Sequence, residues 1–175
     1  MTTPPLQWSI DVHSVHSPVS FSFEASEEEL EAIKRYAGVQ NVTSFKSELK
    51  TVPLSAGKFR VAGQLRADAV QASVVDLDDV PASIDESFSV EFWPENLIGG
   101  ADGKALSYEE DAPEPIIGGR IPIGEFLCEL FLVSLDPYPR NENDAFEWHP
   151  PESEPQATPF AELAHLKRQK KPDGG

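Results

Sequence analysis

The sequence predicts an α+β domain, an antiparallel sheet packed with two helices, which can curl toward a barrel. Three observations point there. The longest alternation in the chain runs from Lys58 toward Asp76, with Phe59, Val61, Gly63, Leu65, Ala67 and Ala69 sharing one face. A capped helical pattern covers Ser26 to Ala37. A second helical run, Pro122 to Leu135, is apolar around much of its circumference. At 175 residues the chain is long enough for one domain with a core plus tails. The expected plan is an irregular segment at 1–17, one α+β domain at 18–140, an acidic proline-rich linker at 141–157, and a short helix with a basic tail at 158–175.

The elements follow in order. Val19, Phe21 and Phe23 alternate with Ser20, Ser22 and Glu24, the pattern of a half-buried strand. In the first helix Ser26 is the N-cap and Glu29 completes a capping box. Glu27 and Glu28 suit its positive end, Lys34 and Arg35 its negative end, and Gly38 can stop it in a left-handed conformation. Phe45, Leu49 and Thr51 mark one face of the next strand, with Ser47 an odd polar member. A turn at Leu54–Gly57 leads into the long strand. Its other face carries Lys58, Arg60, Gln64, Arg66 and Asp68. The parity fails at Val70, Val74 and Val75, which predicts a bulge or bend near Gln71 to Ser73, or burial on both faces. Ile84, Phe88, Val90 and Phe92 form another strand, and 94–116 reads as a loop. The Pro122–Leu135 helix must be buried against the sheet, and Asp136-Pro-Tyr-Pro139 ends it. Beyond the linker, Thr158 caps a short helix whose apolar stripe is Phe160, Leu163, Ala164 and Leu166, followed by Lys167, Arg168, Lys170 and Lys171.

Charge narrows the function classes. The net charge of −16 opposes electrostatic capture of bare nucleic acid and favours basic protein partners or plain solubility. No apolar run is long enough to span a bilayer, and the start MTTPPLQWSI lacks the pattern of a secretory leader, so neither membrane nor DNA is an expected partner. The single cysteine, Cys128, rules out an internal disulfide and suits a cytoplasmic setting. It falls within the buried helix pattern, where a thiol acts as a small hydrophobe.

Catalytic and metal motifs are missing from the sequence, so no enzyme activity and no cofactor are expected. His13 and His16 lack further ligands nearby, and Asp76-Leu-Asp-Asp79 lacks the glycine and terminal glutamate of a calcium loop. Candidate partner-binding residues are Glu109, Glu110 and Asp111 in the acid-dense loop, and Phe160, Leu163 and Leu166 on the last helix, which is too short to be stable undocked. Tyr138 has two readings. It packs on the sheet as part of a helix stop, or it is exposed and contacts a partner together with Arg140.

Three stretches carry a resemblance. They are V-A-G-Q-L-R-A-D-A-V-Q-A-S-V-V-D-L at Val61–Leu77, I-G-G-R-I-P-I-G-E-F followed by D-P-Y-P-R within Ile117–Arg140, and T-P-F-A-E-L-A-H-L-K at Thr158–Lys167. Together they resemble the YceD family, the large ribosomal RNA subunit accumulation proteins, from the Ser26 helix to Lys167. The resemblance implies a cytoplasmic, non-enzymatic factor needed for normal levels of large-subunit ribosomal RNA. Many members carry C-x-x-C where this chain has Ser73 and Asp76, so no zinc or redox role carries over to those positions. Two mechanisms remain open. One is contact between an acidic surface and a basic ribosomal or ribosome-assembly protein. The alternative is direct binding of ribosomal RNA through a local basic patch of Arg60 and Arg66, with Lys46 and Lys50 nearby.

Overall fold

Four long antiparallel stretches, each paired to the next in sequence, dominate the molecule. The computed structural model describes residues 4–98 and 112–141, all inside a unit spanning Met1–Asp144. In chain order the elements are β1 (Ile10–Asp11), β2 (Val19–Glu24), α1 (Glu27–Ala37), β3 (Asn41–Pro53), β4 (Phe59–Ala72), β5 (Asp79–Pro94), α2 (Glu95–Ile98), β6 (Glu114–Ile116), β7 (Arg120–Ile121) and α3 (Ile123–Ser134). The main sheet has five strands in the order β2-β3-β4-β5-β6. Among the described residues only the β5–β6 pairing is parallel, and it joins Phe92, Trp93 and Pro94 to Glu114, Pro115 and Ile116. A separate two-stranded sheet pairs Ile10 with Ile121 and Asp11 with Arg120.

Local chemistry explains α1 and the hairpins. Ser26 Oγ accepts from the Glu29 amide, and a Glu29 carboxylate oxygen accepts from the Ser26 amide, so the capping box is complete. Gly38 ends the helix at φ 67, a left-handed conformation that glycine adopts without a Cβ penalty. β3 turns into β4 through Ala56 and Gly57, at φ 59 and 71.

The face assignment holds across the sheet. Phe45 and Leu49 on β3, Phe59, Val61 and Leu65 on β4, and Ile84 and Phe92 on β5 are all buried. Ser47 belongs to that inner face and is buried, and its hydroxyl donates to the Gln64 carbonyl at 3.0 Å. α3 covers the inner face. Phe131 meets Phe45 edge-on at 5.6 Å, and Phe126 meets Phe88 at 5.3 Å. The Gly124 amide donates to the Trp8 carbonyl at 2.9 Å, and a Cβ at Gly124 would stand 2.6 Å from the Leu6 carbonyl oxygen. Close contact with the N-terminal segment therefore requires glycine there.

Three expectations need correction. The sheet neither closes nor curls toward a barrel, because α3 buries the apolar face that closure would have buried. Of the readings of the parity failure, the bend near Ser73 holds, while the bulge and the burial on both faces do not, since Val74 and Val75 are exposed. β4 ends at Ala72 and Ser73 opens the turn into β5. The 94–116 stretch is not all loop, since it contains α2 and β6. The expected linker and the short helix at 158–175 lie outside the described residues.

Candidate partner-binding surface

The two arginines expected to form a basic patch do stand on the outer face of β4, but each has an acidic neighbour on β5. Register places Arg60 opposite Glu91 and Arg66 opposite Asp85. Arg60 donates to Glu91 at 2.7 Å, and Arg66 lies 3.7 Å from Asp85 and donates to the Gln64 side-chain oxygen at 2.7 Å. The Gln64 side-chain amide in turn donates to Asp85. Lys46 pairs with Glu24 at 2.9 Å. The hydrogen bond from Arg60, with one from the Trp93 indole, holds the Glu91 carboxyl below its usual range. The outer face is thus a ladder of opposite charges, not a cationic platform.

A different surface emerges at the β4–β5 turn. Ser73 is buried at its base. Its amide donates to the Asp78 carbonyl at 2.8 Å, its hydroxyl accepts from the Val75 amide at 3.1 Å, and its carbonyl accepts from the Leu77 amide at 3.1 Å. The Asp76 carboxyl is held below its usual range by a hydrogen bond with Ser73 and by the Asp78 amide. The turn is then fastened to the segment after α3. The Val74 amide donates to the Pro139 carbonyl at 2.9 Å, and the Gln71 side-chain amide donates to the Asp136 carbonyl at 2.9 Å. The D-P-Y-P run and the V-D-L turn, far apart in sequence, are therefore joined.

Five large apolar side chains are exposed at this end: Val74, Val75 and Leu77 on the turn, Tyr138 beside Pro139, and Val133 on the last turn of α3. The other exposed large apolar residues among those described, Leu97 and Ile117, lie at the far end of β5. Leu77 is 76% exposed and sits at φ 67. A left-handed conformation costs a branched side chain about 1–2 kcal/mol. Asp76, Asp78, Asp79 and Asp136 stand among these apolar groups, and no lysine or arginine of the described residues pairs with them. This end of the molecule thus combines exposed apolar side chains with carboxylates that no described lysine or arginine pairs.

Tyr138 does not pack on the sheet. It is 68% exposed, while its neighbour Pro139 is buried. Arg140 is exposed next to it. Glu109, Glu110, Asp111, Phe160, Leu163 and Leu166 lie outside the described residues. Val74, Val75, Leu77 and Val133 were not among the expected candidates, and only Val74 and Val75 carried a signal in the broken parity. Cys128 is buried, as its place in the helix pattern implied, and burial pushes its thiol up to about 12. Among the described residues no histidine, cysteine and carboxylate group is placed to hold a metal, and no helix is long and apolar enough to cross a membrane. No family model, curated protein or solved structure matches this chain.

Proposed function

We propose that this protein is a non-enzymatic accessory factor for large-subunit ribosomal RNA accumulation. In this reading it acts in ribosome assembly, in the cytoplasm, by contact with a basic ribosomal or assembly protein. The observation that carries the reading is the joined turn and D-P-Y-P run, which present an exposed, strained Leu77 among carboxylates. Strain at an exposed side chain is favoured where that side chain has work to do. The resemblance of the same two segments to the YceD family supplies the process.

Affinity capture from lysate tests it, at low and high salt, with and without ribonuclease. Capture of basic ribosomal or assembly proteins should survive ribonuclease and weaken as salt rises through the physiological range, where exposed charges are screened beyond ~8 Å. Leu77→Gly should weaken capture several-fold. Joint neutralisation of Glu109, Glu110 and Asp111, or removal of 158–175, should add to the loss if those segments supply further contacts. Ribonuclease-sensitive capture damaged by Arg60→Ala with Arg66→Ala, and indifferent to Leu77→Gly, would instead support direct RNA binding.

A further inference from the structure

An open sheet has edges, and one of them here is long. β6 pairs with β5 only at Phe92, Trp93 and Pro94. From Ser83 to Glu91, β5 has β4 on one side and, among the described residues, no strand on the other. A hollow of about 770 Å3 lies along the Phe88–Glu91 part of this edge, reaching Phe126 on the inner face and Ala112 and Glu114 before β6. At Phe126 it meets a smaller hollow of about 110 Å3 bordered by Glu114, Glu125 and Glu129. Burial, and then the charges of Glu129 and Glu125, push the Glu114 carboxyl above its usual range. No lysine or arginine of the described residues pairs with these three carboxylates, since the nearby Arg60 is held by Glu91.

The charges select the occupant. A second copy of this chain carries a net charge of −16, so its approach is repelled. Acidic side chains at an edge are also how sheets resist edge-to-edge association. An extended basic segment meets the opposite situation, with backbone groups to pair and carboxylates to neutralise. We propose that the Ser83–Glu91 edge of β5 accepts an extended, lysine- or arginine-bearing segment of a partner protein by strand addition. Its apolar side chains enter the Phe88–Val90–Phe126 hollow and its cations reach Glu114, Glu125 and Glu129. This rests on the reading that the partner is a basic protein, but not on the Leu77 surface.

The test uses the full chain and an end-blocked octapeptide of alternating lysine and valine, followed by calorimetry and by amide hydrogen exchange. Saturable binding is expected, with slower exchange at the alternate amides of Ser83–Glu91 that do not face β4. The triple variant Glu114→Gln, Glu125→Gln, Glu129→Gln should weaken binding about tenfold or more. A glutamate–valine peptide should not bind. Leu77→Gly should leave peptide binding unchanged, which separates this site from the one at the turn. Slow exchange along Ser83–Glu91 before any peptide is added would mean that the chain fills its own edge and would overturn the proposal. So would protection confined to other strands, or a triple variant that binds as tightly as the parent.

Discussion

The indole nitrogen of Trp8 donates a hydrogen bond to one carboxylate oxygen of Glu29 at 2.9 Å, while the other oxygen accepts from the Ser26 amide at 2.9 Å. One side chain therefore caps α1 and holds the N-terminal segment to it. The Trp8 ring also stacks on Phe23 at 5.1 Å. Trp8→Phe keeps an aromatic ring and loses the bond to a charged acceptor, and should cost about 1.5–3 kcal/mol. Glu29→Ala should lose that bond and the capping box as well. Because the residues share one interaction, urea titrations of the double variant should show less than the sum of the two losses.

Leu65 and Arg66 are neighbours on β4 with opposite fates. Leu65 is fully buried and Arg66 is exposed in a loose pair with Asp85. Leu65→Asp places a charge in the core and should cost about 3 kcal/mol or more, or prevent folding. Arg66→Ala should change stability by less than about 1 kcal/mol. A cooperative melt of Leu65→Asp near the parent temperature would contradict the face assignment.

That assignment was legible because a strand buried on one face writes its environment into alternate residues. Phe59, Val61 and Leu65 are enough to orient β4, and the capping box at Ser26 and Glu29 is enough to start α1. β1, β6 and β7 were not legible. Strands of two or three residues are too short to show a period, and their pairing depends on partners distant in sequence. The Leu77 surface was half legible. Broken parity at Val74 and Val75 left a bulge, a bend and burial on both faces open, and gave no sign that the turn would be tied to Pro139.

Leu77→Gly should raise stability slightly while weakening partner capture. Glycine removes the cost of φ 67, and the lost side chain is mostly in solvent. The expected gain is about 1 kcal/mol, reduced by the greater freedom of glycine in the unfolded chain. A clear drop in the melting temperature would show that Leu77 packs on its own domain.

Burial and a thiol raised to about 12 make Cys128 unreactive in the folded protein. A thiol-selective disulfide reagent should leave it unmodified in buffer and label it stoichiometrically in denaturant. Rapid labelling of the native protein would mean that α3 opens easily.

Acid stability depends on two opposing sets of carboxyls. Glu91 and Asp68 are lowered in the fold, by Arg60 and by Ser83 respectively, so each contributes stability above its unfolded value and loses it as pH falls through its folded value. Glu114 is raised, chiefly by burial, so it opposes folding at neutral pH and stops doing so as it protonates. Glu114→Gln should therefore raise the melting temperature at pH 7, with an advantage that fades as pH falls through the carboxylate range. Glu91→Gln should do the reverse, with a small effect because its side chain is partly solvated. Melts across that range check both signs.

The pairing of Ile10 with Ile121, and of the Trp8 carbonyl with the Gly124 amide, orders events during synthesis. Each hairpin of the β2–β5 meander can form as soon as its second strand leaves the ribosome. Leu6 and Ile10 cannot reach their places in the core until β7 and α3 have also emerged. Leu6 and Ile10 must wait, with their apolar side chains uncovered, until β7 and α3 have been made. A ribosome stalled before Ile121 would therefore carry a chain with a formed meander and an undocked Leu6–Val15 segment, open to a chaperone or a protease.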